Sequence, residues 1–178
     1  MWRITKIVGG IDRLNQRVGR AVSWLSGLMV VVVTVDVVMR YLFRTSYVFV
    51  QELEWHLFGA LFLLGAGYTL LHDAHVRVDI FYQRLTARQQ AWVDLLGTLL
   101  FLLPGCILVI STSWEFFINS WSIGEGSPDP GGIPARYILK AVIPIGFFLV
   151  ALQGISLALK SLTALLGYSL KTDEEEAL

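Results

Sequence analysis

The sequence predicts an all-α integral membrane protein with four transmembrane helices and an N-terminal amphipathic interfacial helix. Three observations lead there. Four apolar stretches, Ala21–Phe43, Val48–Leu71, Ala91–Ile118 and Pro134–Leu159, can each cross a hydrocarbon layer about 30 Å thick at 1.5 Å per helical residue. The chain is 55% hydrophobic and only 16% charged, where a soluble domain carries about 25% charged residues. Basic residues, finally, concentrate in particular connections. Three regions follow: an amphipathic interfacial segment (1–20), a four-span membrane domain (21–159) and a C-terminal tail (160–178).

In residues 1–20, Ile4, Ile7, Val8, Ile11, Leu14 and Val18 recur at steps that suit one helix stripe, with Arg3, Lys6, Arg13, Arg17 and Arg20 between them. Such a helix lies in the membrane interface. A partly disordered basic tail is the alternative, and Gly9-Gly10 favours it. The charged residues are spread over the whole segment, unlike those of a signal peptide.

The four residues Arg44–Tyr47 make spans one and two an antiparallel hairpin. Pro104-Gly105 in span three and Pro144 in span four should each bend their helices, because proline removes a backbone hydrogen bond. Span three exceeds a perpendicular crossing. Gly59, Gly65, Ala66 and Gly67 allow close helix approach in span two, and Gln153 is expected to hydrogen-bond across helices. Residues 124–134 hold three prolines as well as several glycines and form a turn-rich loop. Trp24, Tyr47, Trp55, Trp92, Trp114, Trp121 and Tyr137 mark the span ends as an aromatic belt.

The N-terminal segment carries five basic residues, the connection 72–90 three (Arg77, Arg84, Arg88) and the loop 119–133 none. The positive-inside rule places both termini and the 72–90 connection in the cytoplasm and the 124–132 loop outside. Arg136 and Lys140, at the outer start of span four, run against this pattern but can snorkel to water. The tail with Asp173 and Glu174–Glu176 has the composition of a solvated, disordered segment.

Fourteen basic and fourteen acidic residues cancel, so net charge points to no nucleic acid or other polyanion. Cys106 is the one cysteine and can form no intrachain disulfide. His56, His72 and His75 lack the companions a metal or haem site needs, so the sequence predicts no metal, no cofactor and no enzyme. The residues that stand out are membrane charges. Asp36 and Arg40 share a face of span one; Glu52, Glu54 and His56 open span two at the same end, where Glu115, Arg136 and Lys140 could join them. This cluster reads as a proton or cation site, or as a polar clamp between helices or against a partner. The clamp is favoured because the charges lie near one end and both signs are present.

Several segments resemble a known family: Gln51-Glu52-Leu53, Gly65-Ala66, the run His75-Val76-Arg77-Val78-Asp79, the stretch from Ser127 to Arg136, and Lys140 to Gly146 followed by Leu152-Gln153-Gly154. In order, span pattern and length they resemble the small membrane subunit (DctQ-like) of tripartite ATP-independent periplasmic, or TRAP, transporters. The resemblance covers roughly Ser23 to Leu159. It implies a bacterial inner-membrane, sodium-coupled importer of organic acids. Its partners would be a large membrane subunit that does the transport and a periplasmic substrate-binding protein. The small subunit would be a scaffold in contact with lipid.

Matched by motif, Glu52, His75 and Asp79 carry over as structural or interface positions beside Asp36 and Arg40, while Glu125, Asp129 and Arg136 are candidates for an outer docking surface. Two other classes stay open. A small four-span proton-coupled exporter would use Asp36, though the long loop suits it poorly. A membrane electron carrier would need histidine pairs at matched depth.

Overall fold

The computed structural model describes residues 2–72 and 82–168. Helix α1 runs Trp2–Leu42, α2 Val48–Leu71, α3 Ala87–Gly97, a π-helical turn Thr98–Leu102, α4 Leu103–Ser122 and α5 Tyr137–Leu165. Four helical stretches are long and apolar enough to cross a membrane: Trp2–Leu42, Val48–Leu71, Ala87–Ser122 and Tyr137–Leu165. The four-span all-α fold read from the sequence is the one observed, with α2 bounded as expected.

Helix α1 differs from the expectation. Residues 2–20 and the first span form one 41-residue helix, with no break at Gly9-Gly10. The reason lies in its buried face. From Ile4 through Val8, Ile11, Asn15 and Val18 to Asp36 and Met39, the covered positions alternate in steps of four and three. That 3.5-residue period is the seam of a left-handed helix pair. Packing along an unbroken seam offsets the roughly 1 kcal/mol that each helical glycine costs relative to alanine.

Helix α5 is the hub: α1, α2, α3 and α4 all pack on it, and α1 also packs on α2. Of its most apolar window, 39% is buried, against 6–17% for the other three spans, whose remaining faces are bare apolar surface. Leu70, Cys106 and Val150 form the buried core, joined by Ala66, Leu102 and Phe147. Where α2 and α5 cross, a Cβ on Gly146 would lie 2.6 Å from the Leu63 carbonyl oxygen, so glycine sets the closeness of that crossing.

The turn between α1 and α2 closes with Arg44 in the left-handed region (φ 53°) and the Thr45 amide donating to the Met39 carbonyl at 3.1 Å. A capping box opens α3: the Gln89 amide donates to Thr86 Oγ1 and the Thr86 amide to Gln89 Oε1. The helix expected to bend at Pro104 carries a π-helical turn just before it, and Pro144 lies within the continuous helix α5. Pro104 follows just after that wider turn, where the ladder of backbone hydrogen bonds is already shifted.

Candidate functional site

One end of the bundle carries the 43–47 turn and the 123–136 loop; it is called the loop end here, and the opposite end the terminal end. The loop is built by its turn residues. Asp129-Pro130-Gly131-Gly132 closes with the Gly132 amide donating to the Asp129 carbonyl at 3.0 Å, and Gly131 has φ 82°. Proline second and a left-handed glycine third is the pattern of a type II turn. Two backbone bonds draw the neck together: Ser127 N–H to the Ile133 carbonyl at 2.8 Å and Arg136 N–H to the Glu125 carbonyl at 3.0 Å.

Glu52, at the start of the second turn of α2, fills the space this loop encloses. It is 5% exposed. Its Oε1 accepts from Ser127 Oγ at 2.6 Å and its Oε2 from the Ile133 amide at 2.6 Å. Arg136 Nη2 lies 3.6 Å from Oε1, with its guanidinium 5.2 Å from the Trp55 ring centre. A Cβ on Gly132 would come within 2.4 Å of Ser127 Oγ and 2.6 Å of Glu52 Oε2. Only glycine lets the loop close on the carboxylate. The Glu52 carbonyl is engaged as well, with His56 Nδ1 at 2.6 Å.

Beside this clamp, Lys140 pairs with Glu125, and its ammonium sits 3.9 Å from the Phe116 ring centre. The Lys140 ammonium holds the Glu125 carboxyl below its ordinary value. The two basic residues that ran against the charge pattern are therefore each matched with an acid at the same end.

Asp36 and Arg40 form the expected ion pair, with Asp36 buried and Arg40 half exposed. Glu52 takes no part in that pair, because the loop occupies its carboxylate. The charges at the loop end thus divide into separate partnerships, and no hydrogen bond or ion pair among the described residues joins Asp36 or Arg40 to Glu52, Glu54 or His56. Glu115 stands exposed on α4, outside these partnerships. Asp129 is exposed at the loop tip, with its backbone amide on Ser127 Oγ at 3.1 Å. His75 and Asp79, like Arg77 and the acidic tail, lie outside the described residues.

A second polar assembly, towards the terminal end, was only partly legible. Gln153 does bond across helices, as expected: its Oε1 accepts from Asn15 Nδ2 at 2.9 Å and its Nε2 donates to Asp12 Oδ1 at 2.9 Å. Ser156 Oγ also donates to Asp12, at 2.7 Å, and Lys160 Nζ lies 2.7 Å from the other carboxylate oxygen. Asn15, Gln153 and Ser156 are 1%, 2% and 0% exposed. Asn15 Oδ1 has no hydrogen-bond donor and rests against Gly67, where a Cβ would meet it at 2.3 Å. The signal for Asp12 and Asn15 was their spacing: Asn15 falls on the 3.5-residue seam, and Asp12 stands one position past Ile11 on it.

Residues 29–164 match the family described as "Tripartite ATP-independent periplasmic transporters, DctQ component". The chain belongs to the DctQ family. Among curated relatives, it is 23% identical over 174 residues to the "C4-dicarboxylate TRAP transporter small permease protein DctQ" of Vibrio cholerae, covering 87% of this chain and 75% of that protein. It is 30% identical over 107 residues to a "Putative TRAP transporter small permease protein" of Haemophilus influenzae, covering 60% of this chain and 66% of that one. No solved structure matches. This DctQ-family chain is a multi-pass membrane protein and a TRAP transporter small permease, a transporter component. The family match takes in the whole Glu52 clamp but starts after Asp12 and Asn15, so the second assembly ties a segment outside the match to α5 within it.

Proposed function

We propose that this DctQ-family chain is the small membrane subunit of a secondary-active, sodium-coupled importer of organic acids. It serves as a fixed scaffold for a large transport subunit, and its loop end contributes to the docking of a periplasmic substrate-binding protein. The observation that carries this reading is the clamp. A charged, non-helical loop is held in one shape by a buried carboxylate, so a soluble partner meeting it loses little conformational freedom. Asp129 at the tip and Glu125 and Arg136 at the neck supply charges of both signs for such a contact.

The scaffold role draws support from how the membrane charges are spent. Asp36 is matched by Arg40 and Asp12 by Lys160, which leaves Asp36 poorly suited to the proton exchange an exporter needs. The organic-acid class rests on the resemblance and on the name of the Vibrio cholerae relative. The distribution of basic residues supports an inner-membrane orientation with both termini cytoplasmic and the loop end periplasmic. His75 and Asp79, four residues apart, would share a face of a helical segment and hold the start of the 72–90 connection against span two or the partner, and Asp79→Ala is expected to lower recovery of the complex.

Reconstitution tests the reading. Sodium-dependent uptake of an organic anion is expected only when the chain is combined with its large subunit and binding protein; uptake by the chain alone would overturn the scaffold role. In intact cells, cysteine at Asp129 should react with an impermeant thiol reagent and cysteine at Gln83 should not. The reverse pattern would invert the orientation.

A further inference from the structure

The depth of the N-terminal half of α1 can be read from its neighbours. Nineteen residues of α5, Ala141–Leu159, carry no charge between Lys140 and Lys160. At 1.5 Å each they span about 28 Å, the thickness of a hydrocarbon layer. Lys160 therefore marks one edge of that layer. Asp12 pairs with Lys160, and Asn15, further along α1, bonds to Gln153 inside the layer. On the other flank, Gln16 Oε1 lies 2.8 Å from Nε2 of His72, which caps the end of α2, and Gly19 packs against Tyr68. Arg17 and Arg20 are thus on the apolar side of the edge, by up to about two turns. Both are exposed, and neither has a carboxylate partner among the described residues.

Arg17, Arg20 and Trp24 follow at steps of three and four, so they share one face, pointing away from the buried seam. Trp24 is 82% exposed. A guanidinium in hydrocarbon is expensive unless its stem carries it back to a counter-charge at headgroup level. No carboxylate among the described residues pairs with either arginine, and lipid phosphate is a counter-charge that suits the planar fork of arginine. We propose that Arg17, Arg20 and Trp24 form a binding site for an anionic phospholipid of the leaflet at the terminal end. Two adjacent positive charges favour a lipid of net negative charge over a zwitterionic one, and the indole of Trp24, about 18 Å along α1 from Asp12, packs against the acyl chain.

The test is competition between dioleoylphosphatidylglycerol and dioleoylphosphatidylcholine for the full purified chain, read by native mass spectrometry. The wild type should prefer phosphatidylglycerol, and the preference should weaken as salt is raised. Each arginine near a membrane surface is worth about fivefold in attraction to anionic lipid, so Arg17→Gln with Arg20→Gln should cut the preference at least about tenfold. Arg17→Lys with Arg20→Lys should keep most of it. Circular dichroism verifies that helix content is unchanged. Equal retention of the two lipids by the wild type, an unaltered preference in the glutamine variant, or a parallel loss of both lipids would each overturn the proposal.

Discussion

Glu52 and Ile133 are 81 residues apart in sequence, yet the carboxylate of one accepts the backbone amide of the other at 2.6 Å. This bond, with its companion from Ser127, converts a glycine- and proline-rich loop into an ordered cap on the hairpin. Glu52→Gln leaves one oxygen to do the work of two and turns an amide donor towards one of the existing donors. Protease cleavage within 124–134 should accelerate about tenfold or more, the factor carried by one charge-assisted hydrogen bond. Gly132→Ala should have the same effect by pushing the loop off the carboxylate. The two changes together should cost little more than either alone, because both release the same contact.

Asp36 and Arg40 should behave as a unit. Arg40→Leu leaves a buried carboxylate without its partner and should lower stability by about 2 kcal/mol; this is below the roughly 3–5 kcal/mol of a fully buried pair, because the Arg40 side chain is 49% exposed. Replacing Asp36 and Arg40 together by leucine should be milder. Thermal unfolding in detergent checks the order; equal loss in the single and double variants would mean that the pair contributes nothing.

Around Asn15 the coupling is steric as well as polar. Gly67→Ala places a methyl group where Asn15 Oδ1 now sits and 3.3 Å from the Leu149 backbone. It should destabilise by about 1–3 kcal/mol, and Asn15→Ala should relieve most of that loss. Gln153→Leu strips a partner from both Asn15 and Asp12, so it should cost about as much on its own. Melting curves of the single and double variants measure the coupling directly.

The Glu125–Lys140 pair gives the loop an acid limit. The Glu125 carboxyl is held below its ordinary 4.5, so its contribution is fully present above about that pH and is lost as pH falls through the lowered value. Loop protection should stay level from neutral pH to about 5 and decline below 4.5. Glu125→Gln should remove its share of that decline while lowering protection at neutral pH. A decline on the alkaline side of 5 would contradict the assignment.

What the sequence disclosed and what it withheld divide by range. The spans, the hairpin and the Asp36–Arg40 pair depend on neighbours within a few residues, and apolar runs and helical spacing report these directly. The partners of Glu52 could not be read, because they lie on a loop whose path depends on where Gly131 and Gly132 turn it. Asp12 and Asn15 are hard to read from the sequence for a different reason. Dividing the chain at residue 20 cut the 3.5-residue seam in two, and polar side chains in a basic amphipathic segment look like its wet face. They are instead covered by α5, whose own polar residue, Gln153, was recognised without its partners.

Since α1 is a single helix about 60 Å long, its two ends cannot be adjusted independently. Asn15 and Gly19, wedged against Gln153 and Tyr68, act as a fulcrum, with about 40 Å of lever arm between Asn15 and the turn that leads to α2. A swing of about 10° at the fulcrum would carry that turn sideways by about 7 Å. The polar contacts near the terminal end, together with the seam along α1, therefore fix the aim of the hairpin at the far end, and with it the seat on which the Glu52 loop rests.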